Sequence, residues 1–279
     1  MGILFGLMSA LAYGTADFAA GLASRAYDAR PVTGVAQALG VLTAALALLL
    51  FPGSAPKPSA LEWGALSGVG SALGTLALYR GLAVARMSVV ATLSAVLTAV
   101  IPVLVGIGLG NRLRVGVVIG IVIAVPAIAL VSWRPRGDGD GGARAGALEG
   151  CLAGLGFALL FIALDRAGTR SGAWPLVPGQ LVSVALIAPV AYRGLRSAQA
   201  PPRAAVALML GAGVLSGTAN LLFLAATGHG ELAVVAVLTA LYPAVTVIFA
   251  RLLLSERWGT LQAAGLLVAA LAIVLVTVG

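Results

Sequence analysis

Asp17 is the residue in this chain with the most to offer chemically. It sits inside an apolar stretch covering 2–22, about two turns from the end of that stretch if the stretch is helical. A carboxylate at such a depth in lipid is expensive and usually faces a cavity, a partner or an ion path. It could couple to a cation or a proton. The structural alternative is an aspartate hydrogen-bonded to a Ser, a Thr or a neighbouring backbone, or one wetted near the interface. Gln37 and Gln180 lie in two further apolar stretches. Amides in lipid need partners, so these two either face one another across a pathway or tie helices together. Asn220 carries the same two readings. Tyr79, followed by Arg80, closes a third stretch, and Tyr242 with Pro243 interrupts another. A proline there frees helix carbonyls that suit a polar ligand, or simply kinks the helix for packing. Asp17, Gln37, Tyr79, Gln180, Asn220 and Tyr242 are therefore expected to line one central substrate or ion pathway. His229 with Glu231 is a titratable pair, but a single histidine in a turn reads more simply as a solvated loop residue.

These residues need elements to hold them, and the composition says which kind. Of 279 residues 61% are hydrophobic and 9% charged, and mean hydropathy is +1.09. That is too few polar residues for the outer shell of a soluble domain of this length. The apolar stretches come in pieces of about 20 residues, the length of a membrane-crossing helix. Polar punctuation separates spans at 2–22, 32–51, 61–79, 87–109, 115–133, 147–164, 174–192, 204–226, 232–254 and 259–278. The first lacks a basic leader and is too long for a signal segment, so it reads as a span. Residues 134–146, rich in glycine and mixed charge, read as a flexible linker between an N-terminal half, 1–133, and a C-terminal half, 147–279. Trp63, Trp133, Trp174 and Trp258 fall near span ends, as an interfacial aromatic belt does.

Several function classes are excluded or disfavoured. Cys151 is the only cysteine, which rules out an intramolecular disulfide and a cysteine metal site. The formal charge of +8 lies in arginines between apolar spans, with no aromatic-interleaved basic stripe, so the partner is the lipid bilayer and not nucleic acid. Lys57 is the only lysine and no phosphate-binding loop occurs, so any transport by this chain would run on a gradient. No metal and no cofactor are expected. A membrane enzyme or a scaffold acting on lipid-linked substrates is the alternative reading. An enzyme would need an intramembrane acid–base cluster, and this chain has one histidine and few acids.

The two halves repeat one another. At an offset of 145 residues Val89, Val90 and Ala91 fall on Val234, Val235 and Ala236, Leu93 on Leu238, Arg112 on Arg257 and Gly120 on Gly265. The first two spans of each half need an offset one or two residues smaller, which brings Gln37 onto Gln180. An odd number of spans per repeat turns the second half upside down in the membrane, as in many secondary transporters. The fold expected is all-α and integral to the membrane, with ten transmembrane helices as two inverted five-helix repeats. Gly64 and Gly68, Gly70 and Gly74, Gly150 and Gly154, and Gly213 and Gly217 are each spaced by four, which lets helix backbones approach closely in lipid.

The chain resembles the drug/metabolite transporter superfamily, in its ten-helix EamA-type branch. The segment 13–21, Tyr-Gly-Thr-Ala-Asp-Phe-Ala-Ala-Gly, is similar to the aromatic-Gly-Ser/Thr segment of that family's first helix. Leu254, Ser255, Glu256 and Arg257 resemble its Leu-Gly-Glu-Arg signature, and Tyr242-Pro243 its mid-helix proline. The first half departs from the pattern, reading Leu109-Gly110-Asn111-Arg112 with Thr98 at the proline position and Pro102 four residues later. The resemblance implies a multi-pass protein of a cell membrane, such as a bacterial inner membrane, that moves a small organic solute, often outward, and is not an enzyme. A homodimer stays open. Orientation has two answers. Odd-numbered spans and the connections after them carry twelve basic residues at their ends against five for the others, or ten against five without Arg80 and Arg251, which fall at or within span ends; this puts the odd connections in the cytoplasm and both termini outside. The resemblance implies termini inside.

Overall fold

A computed structural model describes the chain except for residues 52, 109–114, 133–140, 169–170, 198–199, 230–238, 240–241, 256–258 and 279. Among the described residues the secondary structure is helical, in ten helices: α1 (Gly2–Ala26), α2 (Ala29–Leu50), α3 (Pro58–Val84), α4 (Met87–Gly108), α5 (Val115–Ser132), α6 (Gly141–Ala167), α7 (Leu176–Ser197), α8 (Arg203–His229), α9 (Tyr242–Leu254) and α10 (Thr260–Val278). Of the helices searched, α1, α2, α4, α6, α7 and α8 each contain a segment long and apolar enough to cross a bilayer. Helix is the form that satisfies every backbone group within one segment, which a lipid environment demands.

Punctuation in the sequence sets the helix ends. Asp28 caps α2 by accepting the Arg30 backbone N–H at 2.8 Å. Its carboxylate also pairs with the Arg30 guanidinium, which holds the Asp28 carboxyl below its ordinary range. Pro58 opens α3, where its missing N–H costs nothing. The α2–α3 and α6–α7 connections touch where the Ala173 N–H donates to the Phe51 carbonyl at 3.1 Å. Gly53 and Gly172 lie in the left-handed region there, and a Cβ on either would strike the other's backbone.

The helices are apolar on both sides but differ in side-chain size. On α1, Leu4, Leu7 and Leu11 are exposed, while Gly2, Gly6, Ala10 and Gly14 are buried. Large aliphatics outward and small residues inward is the arrangement a bilayer favours, because close backbone packing replaces the hydrophobic effect inside. All four glycine pairs meet a neighbouring helix or its entrance. Gly64 and Gly68 lie against Pro175 and Gly179, Gly70 and Gly74 against α6, Gly150 and Gly154 against α4, and Gly213 and Gly217 against Leu39 and Thr43 of α2.

The packing pairs are related by exchanging helices between halves. α3 packs on α6 and α8 on α1, α3 on α7 and α8 on α2, and α4 on α6 and α9 on α1. α2 packs on α7, α4 on α9 and α5 on α10. Direct contact between the group α3–α4–α6 and the group α1–α8–α9 runs through α1 with α3 and α4 with α9.

Two boundaries differ from the sequence reading. α6 begins at Gly141, so 141–146 of the expected linker are helical, and 134–140 lie outside the described residues. The extension has tertiary support: Gly146 packs against Ala85, and Glu149 pairs with Arg80 at 3.3 Å. α9 is described from Tyr242, so Tyr242 and Pro243, the expected interruption of span 232–254, form its first turn, while 232–238, 240 and 241 lie outside the described residues. The Glu256–Arg257 part of the signature and its first-half counterpart, 109–112, also lie outside it.

Candidate functional site

Asp17 projects from α1 one turn beyond Tyr13, on the same face of the helix. α9 is drawn close to that face because Gly14 has no side chain: a Cβ there would meet the Tyr242 carbonyl and the Val245 side chain. Thr246 of α9 donates its hydroxyl to the Gly14 carbonyl at 3.0 Å, fixing the register of the two helices. The Tyr13 and Tyr242 rings then lie 5.9 Å apart, tilted at 52°. α8 arrives from another side. Ser9 donates to the Ala219 carbonyl at 2.8 Å, and the Tyr13 hydroxyl donates to Asn220 Oδ1 at 2.5 Å. α3 supplies Tyr79, which is 3% exposed and belongs to the same apolar cluster as Phe18 and Ala20 of α1.

The Asp17 carboxyl is within electrostatic reach of all three tyrosine hydroxyls, on Tyr13, Tyr79 and Tyr242. Asp17 is half-buried. Among the described residues it has no hydrogen-bond donor and no counter-ion, and the hydroxyls of Tyr79 and Tyr242 have no hydrogen-bond partner. Four helices thus converge on a carboxylate and two phenols whose polar atoms have no partner among the described residues. That set can accept hydrogen bonds, hold a positive charge and present ring faces to it.

One end of this group is closed. Phe18, Ala20 and Ala23 of α1 pack with Leu78 and Leu82 of α3, Met87 and Val90 of α4, and Met209 and Ala250 of α8 and α9. Arg25 donates to the Leu82 carbonyl at 2.9 Å and the Ala85 carbonyl at 2.8 Å, binding the end of α1 to the end of α3. Toward the start of α1, Tyr13 and Thr15 are half-buried and Asn220 is exposed.

The six expected pathway residues fall into two groups. Asp17, Tyr79, Asn220 and Tyr242 come together. Gln37 and Gln180 pair with each other: Gln180 Nε2 donates to Gln37 Oε1 at 2.6 Å and to the Gln37 carbonyl at 2.9 Å. Gln37 Nε2 reaches Ser71 Oγ at 3.3 Å. Ser71 and Tyr79 are two turns apart on α3, roughly 12 Å along the axis, so the amide pair sits at another level of the bundle. Tyr13 is the residue the sequence reading missed, although its four-residue spacing from Asp17 on one helix was a readable signal. His229 ends α8, exposed, with Nδ1 2.9 Å from the Ala225 carbonyl, while Glu231 lies outside the described residues. A groove of about 470 Å³ lined by Pro189, Tyr192, Arg193 and Arg196 lies on α7, away from all of these residues.

Six helices long and apolar enough to cross a bilayer are the mark of a multi-pass membrane protein. Residues 144–278 match the model of the EamA-like transporter family, so the second half of the chain is similar to that family of the drug/metabolite transporter superfamily. No curated protein matches the chain. A solved crystal structure aligns with a TM-score of 0.66 at 14% identity, over 98% of this chain and 95% of that one. At that identity the likeness is one of fold.

Proposed function

We propose that the protein is a secondary transporter of a small organic solute, working by alternating access in a cell membrane, with Asp17 as the residue that couples or binds. The observation that carries this reading is the free carboxyl of Asp17 among tyrosines where α1, α3, α8 and α9 converge. A half-buried acid left without a partner among apolar helices is costly, and in a membrane bundle that cost is usually retained for an ion or a solute. The exchange relation between packing pairs supports two five-helix repeats, inverted because each has an odd number of spans. The groups α3–α4–α6 and α1–α8–α9 each draw helices from both halves, and Asp17 lies where they meet. They are the bodies that rock against one another. The Arg25 clamp and the apolar cluster around Leu82 form the closed gate, and export is the direction this reading favours.

The charge distribution puts the closed gate, with the α1–α2 and α3–α4 connections, on the cytoplasmic side. A C-terminal fusion to a protein that fluoresces only in the cytoplasm should then stay dark. Purified protein in liposomes should carry at least one small organic solute down an imposed proton or solute gradient. Protein-dependent flux for none of a panel of amines, amino acids, nucleosides and neutral metabolites would sink the transporter reading.

A further inference from the structure

The unpartnered atoms at the α1–α3–α8–α9 junction are all of one kind. Asp17 offers carboxylate oxygens, and Tyr79 and Tyr242 offer hydroxyl oxygens that no described residue bonds. Arg25, the nearest cation along α1, is committed two turns away to the Leu82 and Ala85 carbonyls. The Asn220 amide turns its oxygen to the Tyr13 hydroxyl and its nitrogen to the Ser216 carbonyl at 3.1 Å. One of its amide hydrogens is therefore engaged, and among the described residues no free cationic donor faces a ligand carboxylate or phosphate here. An anion placed here would meet the Asp17 charge at close range in a low-dielectric surrounding, where repulsion is severe. A neutral solute would leave that charge uncompensated until the carboxyl took up a proton. An ammonium group resolves both difficulties: it neutralises the carboxylate, and its N–H groups can use the hydroxyl oxygens as acceptors. Beside it the Tyr13 and Tyr242 rings, 5.9 Å apart at 52°, form an apolar corner. Such a corner suits an aryl or branched alkyl body and gives the cation a ring face.

We infer that the junction is a binding site for a small organic cation, a primary arylalkyl- or alkylammonium, with its nitrogen on Asp17 between Tyr79 and Tyr242 and its body against Tyr13 and Tyr242. This rests on the transporter reading only for its consequence, that the cation is the transported solute. The binding site stands on its own geometry.

Three probes with one frame separate charge from shape: phenethylammonium, phenethyl alcohol and phenylacetate. With full-length protein in detergent at neutral pH, titrations followed by thermal shift should show phenethylammonium binding at least about tenfold more tightly than either of the others. Asp17→Asn should remove that preference and leave the weak binding of the alcohol in place. Tyr242→Phe keeps the ring and should lose several-fold in affinity for the ammonium only, and it serves as the test if Asp17→Asn does not fold. Equal or tighter binding of the alcohol or the acid overturns the assignment, as does an ammonium preference that survives Asp17→Asn. Liposome flux then distinguishes the two readings. Cation-selective binding without protein-dependent flux would keep the site and remove the transporter. Flux of a neutral solute with no ammonium preference would keep the transporter and remove the site.

Discussion

Two of the places where the halves of the chain meet are of opposite character. Where α2 crosses α7, matched residues face each other: Gln37 and Gln180 occupy corresponding positions and hydrogen-bond directly. Where α1 meets α3, α8 and α9, the match fails. At the offset that aligns the first spans of the halves, Asp17 falls on Leu160 or Phe161 of α6, and neither can ionise. Under the proposed function, the repeat builds the scaffold and the chemistry comes from a departure from the repeat. A duplicated carboxylate would bring a second desolvation cost, whereas a duplicated amide finds its partner in its own copy.

The comparison breaks most sharply at Asp17. Asp17→Asn should express, stay monodisperse in detergent and lose transport by about a hundredfold or more, on the order of 3 kcal/mol for a charge-assisted contact. Normal transport by this variant would remove the chemical half of the comparison. A smaller loss, of stability this time, is expected at the small-residue seam between α3 and α6. A Cβ at Gly156 would lie 2.6 Å from the Gly74 Cα, and both partners there are backbone. Gly156→Val should cost about 1–3 kcal/mol or more by overpacking, read as a fall in melting temperature. Gly259, with nothing near its Cβ direction among the described residues, is the control position and should tolerate alanine far better. The smallest effect is expected at the amide pair. Gln37→Leu, Gln180→Leu and the double variant form a cycle whose coupling should be about 0.6–2 kcal/mol in stability, typical of interhelical hydrogen bonds in membranes. Transport should fall far less than in Asp17→Asn. Transport lost in Gln180→Leu as fully as in Asp17→Asn would place the amides in the pathway and end the distinction between scaffold and site.

Much of this was legible in the residues. Apolar segments of bilayer length gave helices, because lipid offers the backbone no alternative partner. Glycines spaced by four marked faces that do pack closely, since absence of a side chain is itself a local property. The offset that put Gln37 over Gln180 named two residues that do touch. Less legible was the start of α6, where glycine, alanine and arginine at 141–146 read as a linker. Packing of Gly146 on Ala85 and the Arg80–Glu149 pair hold that turn, and both partners are distant in sequence.

The sequence by itself determined the solvent, the helices, their small-residue faces and the singular position of Asp17. All of these follow from side-chain size, polarity and short-range spacing. Only the tertiary structure decided which polar residues share a site. It brought Tyr13, Tyr79, Asn220 and Tyr242 to Asp17 and turned the glutamines toward each other at a different level. The physical reason is that membership of a site depends on rotation and axial register between helices far apart in the chain. Contacts such as Thr246 on the Gly14 carbonyl and Ser9 on the Ala219 carbonyl set that register, and they join residues more than two hundred positions apart.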